Sequence, residues 1–206
     1  MGNNRFAVLD LGSNTFHILI VEIDIRGQFS EIYRLRVFVG LASDGLGNIQ
    51  KESIEKGHAA LREFAKQIKH YQVSKYDIIG TAALRSAKNG IEVIALFEKT
   101  INAPIQIIDG NREADLIYKG VAQIANLSDK NHCIMDIGGG SVEFILVSEG
   151  KKVWAQSFNI GVGVLYSKFH KSEPIADNEI IDLKKWLKIK LSPLIDKSEE
   201  YPIETI

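Results

Sequence analysis

The 206-residue chain is poor in the residues that build cross-links and clusters, with one cysteine, four prolines, two methionines and two tryptophans. With Cys133 alone, no intramolecular disulfide can form and no thiolate cluster can hold a metal. Its setting in the apolar run Cys133-Ile134-Met135 marks it as a core thiol. No apolar run is long enough to span a bilayer, and Met1-Gly2-Asn3-Asn4-Arg5 leads into a strand-like segment without a signal-peptide core. A cytoplasmic protein without a membrane partner is the expectation. Neither sign of charge is in excess, because 25 Lys and Arg face 26 Asp and Glu, leaving −1. No overall field therefore gathers nucleic acid or another polyanion, and any anion site has to be built locally. Two nucleotide-binding signatures are missing as well. No Gly-Lys-Ser/Thr segment exists for a P-loop, and Gly138-Gly139-Gly140 lacks the Gly-x-Gly-x-x-Gly spacing and leads into a strand where a dinucleotide fold needs a helix.

What the chain does have is a repeat. Leu9-Asp10-Leu11-Gly12-Ser13-Asn14-Thr15-Phe16-His17-Ile18-Leu19-Ile20-Val21 overlies Met135-Asp136-Ile137-Gly138-Gly139-Gly140-Ser141-Val142-Glu143-Phe144-Ile145-Leu146-Val147 at an offset of 126 residues, from 10 to 136. Each copy is an apolar strand ending in Asp-x-Gly, a turn of small residues closing on a hydroxyl, and a second β-rich strand. Third strands are predicted over 29–39 and 152–160. Helical spacing then follows each triplet, through Ile54, His58, Leu61, Phe64, Ala65, Ile68 and Tyr71 in the first and Ile180, Leu183, Trp186, Leu187 and Leu191 in the second. The first copy continues with a strand over 76–81, a helix over 86–101, a strand over 105–109 and a helix starting near Asn111. The expectation is an α/β protein of two βββαβαβα lobes around a cleft, lobe one at 1–125 and lobe two at 126–206. Lobe two is expected to be incomplete, because the chain stops about where its fourth strand should start.

Gly12, Ser13, Asn14 and Thr15, and equally Gly138, Gly139, Gly140 and Ser141, form turns whose small side chains let backbone N–H groups approach phosphate oxygens. Asp10 and Asp136 would repel phosphate directly but suit a bridging Mg2+. Either aspartate alone reads as an ordinary turn former. Its retention in both copies is what argues for a site.

Four segments, Leu9 to His17, Thr81-Ala82-Ala83-Leu84-Arg85-Ser86-Ala87, Asn111-Arg112-Glu113-Ala114 and Asp136-Ile137-Gly138-Gly139-Gly140-Ser141-Val142-Glu143, occur in the order found in the Ppx/GppA phosphatase family, which the chain resembles from its N-terminus to about Phe169. The resemblance implies the actin-like ATPase (ribonuclease H-like) fold, Mg2+ dependence, and hydrolysis of terminal phosphoanhydrides in polyphosphate or guanosine pentaphosphate. It implies that Glu113 is the general base, that Arg85 binds phosphate and that Glu143 lies near the metal; a homodimer is compatible with it. By itself, Glu113 is also a favourable first-turn residue for the helix dipole. His17 fills the slot of Glu143 in the first copy and reads as a hydrogen-bonded strand residue. Three departures stand out. Arg112 replaces the first of the family's paired acids, Val164 stands where an arginine is common, and the family's later glycine- and threonine-rich loop is absent from these 206 residues. Two alternatives stay open, an ATP-using kinase or ATPase of the same superfamily and an inactive phosphate-binding fragment.

Overall fold

The computed structural model describes residues 4–206; the first three residues of the segment read above as lacking a leader lie outside the described part. The chain divides into two compact units, one ending at Ile108 and the next beginning at Asp109.

The first unit contains β1 (Arg5–Leu11), β2 (Thr15–Ile23), β3 (Phe29–Phe38), α1 (Lys51–His70), β4 (Lys75–Gly80), the short α2 (Ala82–Ser86), α3 (Gly90–Ile101) and β5 (Gln106–Ile107). Its sheet runs β3-β2-β1-β4-β5. The first three strands pair antiparallel, and β4 and β5 join parallel to β1. Alternation along β2 explains its place, since Phe16, Ile18 and Ile20 are fully buried on one face while Thr15, His17 and Leu19 are only partly covered on the other. Each such burial contributes about 1.5–3 kcal/mol. Leu61 and Phe64 of α1 and Val93 and Phe97 of α3 close the core over that face. Asn89 pins the loop before α1, its Oδ1 accepting from Ile49 N and its Nδ2 donating to Ile49 O, both at 2.9 Å.

The second unit contains α4 (Gly110–Val121), β6 (His132–Ile137), β7 (Val142–Ser148), β8 (Lys151–Phe158), α5 (Val162–Phe169), α6 (Asp177–Lys190) and α7 (Ser192–Glu200). The antiparallel sheet β6-β7-β8 has a core on each face. Val142, Phe144 and Leu146 pack with Cys133, Phe158 and Ile160 under Trp186, Leu187, Leu191 and Leu194. Ile145 and Val147 pack with Ala114, Ile117, Tyr118 and Val121 of α4.

The sequence assigned α4 to lobe one, with the boundary at 125; the compact units divide at 108. The helix follows the last strand of the first sheet but spends its apolar stripe on the second. Tyr118 Oη also donates to Gly150 O at 2.7 Å, and Lys152 of β8 pairs with Asp115. Beyond α7, Cys133 N donates to Thr205 O at 2.8 Å and His132 bridges Thr205 in parallel. In the first unit Phe6, which lies 126 residues before His132, starts the parallel pairing of β1 with β4. The order and directions of the first sheet, repeated in its opening hairpins by the second, define a mixed α/β protein of the actin-like ATPase type.

Candidate active site

The two repeated turns close by the same bond. Gly12 N donates to Thr15 O at 3.1 Å, and Gly138 N donates to Ser141 O at 2.9 Å. A Cβ on Gly12 would stand 2.8 Å from Thr15 O and one on Gly138 would stand 3.0 Å from Ser141 O, which accounts for glycine at both places. These two amides are therefore spent within the turns.

The next amides are aimed by their own carbonyls. Gly138, Gly139 and Gly140 accept through their C=O groups from Val162 N (3.0 Å), Gly163 N (2.9 Å) and Gly161 N (3.1 Å) at the start of α5. A trans peptide sets N–H opposite C=O, so the N–H groups of Gly139, Gly140 and Ser141 turn away from α5 together. That is the form of an anion-binding nest. The first unit repeats the device. Asn14 O accepts from Val39 N and Gly40 N, both at 2.8 Å, and Ser13 O from Ala42 N at 2.9 Å, which turns out the N–H groups of Asn14 and Thr15.

Of these backing segments, the sequence marked Ile160-Gly161-Val162-Gly163 only for the Val164 that follows it and did not mark Val39-Gly40-Leu41-Ala42. They match each other at an offset of 121, from 40 to 161, where the strands match at 126. The strand offset therefore does not bring them into line.

Side chains divide between lining and support. Ser13 is 5% exposed and its hydroxyl accepts from Ala83 N at 3.0 Å, tying the first turn to α2. Arg85, the last but one residue of α2, donates from Nη1 to Ile108 O at 2.6 Å. Asp10 and Asp136 sit near the ends of β1 and β6 and are exposed. Although its side chain reaches solvent, partial desolvation by the neighbouring protein shifts the Asp136 carboxyl upward from its ordinary value. Burial, then Arg36 and Arg34, lower the pKa of His17, whose Nε2 lies 3.0 Å from Thr15 Oγ1.

In register, Asp136 faces Glu143 and Glu143 faces Ser157, so the three side chains form a row across β6, β7 and β8. The row in the first unit is Asp10, His17 and Arg36. Glu143 is 1% exposed rather than the solvated strand carboxylate that its chemistry alone would predict, and its Oε1 accepts from Ser157 Oγ at 2.6 Å. Glu113 lies in the first turn of α4, half-buried. The helix is capped by Asp109, whose Oδ1 accepts from Arg112 N at 2.8 Å. Its first residue, Gly110, packs onto Ser157. The second unit thus brings Asp136, Glu143, Ser157 and the start of α4 onto one side of one sheet. Among the described residues no group of three or more His, Cys, Asp or Glu could hold a metal.

Each unit of this actin-like protein thus carries an acidic strand end beside a turn of the nest form. The model of the Ppx/GppA phosphatase family matches residues 20–203, and the chain belongs to that family. An exopolyphosphatase from Cytophaga hutchinsonii is similar at 33% identity and a TM-score of 0.90, over 95% of this chain and 63% of that one. The Ppx-GppA enzyme of Aquifex aeolicus is similar at 27% identity and a TM-score of 0.70, over 94% and 64%. An exopolyphosphatase-like protein shares the fold at 23% identity and a TM-score of 0.83. The chain thus spans slightly less than two thirds of the length of these solved relatives.

Proposed function

We propose that this protein is a phosphohydrolase that releases terminal orthophosphate from polyphosphate or guanosine pentaphosphate. The observation that carries this reading is the nest within each unit, a turn whose carbonyls are clamped from behind so that successive amides face the other way beside an aspartate. Such donors can hold the oxygens of a phosphate chain without side-chain charge.

Asp10 and Asp136 would hold Mg2+, with Glu143 behind Asp136. Their carboxylate oxygens suit a hard ion that uses one or two carboxylates together with the oxygens of its substrate. When bound, the ion supplies charge neutralisation at the phosphoryl group. Glu113 orients the attacking water and takes its proton, the terminal P–O bond to the bridging oxygen breaks, and orthophosphate leaves. Arg85 and the amides of Asn14, Thr15, Gly139, Gly140 and Ser141 steady the phosphate oxygens.

The test is orthophosphate release from tripolyphosphate, longer polyphosphate and guanosine pentaphosphate, with Mg2+ and with chelator. Glu113→Ala and Asp136→Ala are expected to lose activity by about a hundredfold or more while remaining folded. Release that survives either substitution removes that residue from the mechanism. Transfer of phosphate from ATP to a second substrate, without orthophosphate release from polyphosphate, would replace the hydrolase reading with a kinase.

A further inference from the structure

Ser157 touches more of the site than its small side chain suggests. Its hydroxyl donates to Glu143 Oε1 at 2.6 Å, inside protein that leaves Glu143 1% exposed. A hydrogen bond of this length at a buried carboxyl group holds that group to one rotamer. The same residue is the floor for α4. A Cβ placed on Gly110 would stand 2.4 Å from Ser157 Cβ and 2.9 Å from its Oγ, so the helix that carries Glu113 starts in direct contact with Ser157. Three residues beyond the end of β8 comes Gly161, where a Cβ would stand 2.5 Å from Gly139 C and from Gly140 N and C. The strand that presents Ser157 therefore runs straight into the segment that backs the glycine turn.

We propose that Ser157 is a positioning residue, which aims the Glu143 carboxylate and sets the seat of the α4 first turn so that Glu113, Glu143 and the Gly139–Ser141 nest keep one mutual arrangement. The inference rests on the phosphohydrolase reading. It also gives a reason for the difference between the two rows. Arg36 stands in the first unit where Ser157 stands in the second, and the first unit's row carries His17 in place of a carboxylate. Only the second row needs a short hydroxyl donor beneath a helix start.

The experiment compares the wild-type chain with Ser157→Ala, Ser157→Thr, Gly110→Ala and the double variant Gly110→Ala/Ser157→Gly, measuring orthophosphate release from tripolyphosphate with Mg2+ and calorimetric binding of tripolyphosphate. Ser157→Ala keeps the volume beneath α4 and deletes the donor. It is expected to lower kcat by about 10- to 100-fold with KM changed by less than about threefold. Ser157→Thr, which keeps the hydroxyl, is expected to recover most of that loss. Gly110→Ala is expected to weaken both turnover and folding. The double variant restores the melting temperature by removing the clash but not kcat, because the donor is still missing. A purely packing role predicts the opposite, with kcat following the melting temperature throughout, and that result overturns the proposal. So does a Ser157→Ala protein with wild-type kcat while the wild type itself hydrolyses tripolyphosphate. If the wild type neither binds nor cleaves tripolyphosphate, the phosphohydrolase reading falls and this inference falls with it.

Discussion

Glycine at 161 shows how a single hydrogen atom can decide a site. The backbone of Gly139 and Gly140 lies where a Cβ on residue 161 would stand, at 2.5 Å, and backbone cannot swing aside as the end of a long side chain can. Gly161→Ala is therefore expected to destabilise the protein by about 1–3 kcal/mol. Because the displaced atoms are those of the nest, it should also raise KM for tripolyphosphate by about tenfold or more. Gly120 in α4 is the matched control, since nothing stands within 4 Å of its missing Cβ. Gly120→Ala should stabilise by about 0.4–1 kcal/mol and leave KM alone. Thermal melts and initial rates on the two proteins check both statements, and a Gly161→Ala protein with normal KM would remove α5 from the support of the turn. At this scale the sequence marked Gly12, Gly138 and both aspartates because they recur at one offset. It could not reveal that Ser13 is turned inward to Ala83 N, or that Ser157 stands under α4, because such contacts are made by strands and helices remote in the chain.

Among the elements, α6 is held by a network that has a definite pH signature. Glu179, in its first turn, accepts from Ser172 Oγ at 2.5 Å, from Ala176 N at 2.8 Å and from Lys171 N at 2.7 Å. The Ser172 bond first, and the Ala176 amide next, hold its carboxyl at about 2, below the usual 4.5. A depressed folded-state value means that the unfolded chain binds the proton more readily, so the contribution of Glu179 is complete above about pH 4.5 and is lost as pH falls towards 2. Glu179→Gln should melt below the wild type at pH 7 and converge with it near pH 2. A constant gap across that range would show that the ionised carboxylate is not what caps the helix. The apolar periodicity announced α6 and α1, and alternation announced the strands, with ends within a few residues. Where the sequence predicted one helix over 86–101, the chain makes α2 and α3, because Lys88 N and Asn89 are drawn to the loop at Gly47 and Ile49. The second unit's α5 and α7 were missed; they are short, and α7 buries no residue fully. The sheet to which α4 belongs was also illegible, since a helix with apolar residues at helical spacing states only that it must cover something.

At the scale of the whole molecule the two units are unequal, although their hairpins match. The first has a five-stranded sheet and one continuous core in which Leu9, Phe16, Ile18, Ile20, Leu61, Phe64 and Phe97 are fully buried. The second divides its apolar residues between the two faces of three strands, and neither α6 nor α7 contains a fully buried residue. Local opening costs least where little apolar surface has to be exposed, so protection from hydrogen exchange should follow this inequality. Amides of β1 and β2 are expected to exchange slowest, those of β7 next, and those of α6 and α7 fastest among the helices of eight residues or more. The nest of the second unit, backed by α5, lies on the sheet expected to exchange faster. A saturating phosphate ligand should accordingly slow exchange at residues 138–141 and 161–163 more than at residues 12–15. Native-state exchange with and without tripolyphosphate measures both effects. If α6 and α7 were as protected as β1 and β2, the buried cores would not be what sets the stability of this chain.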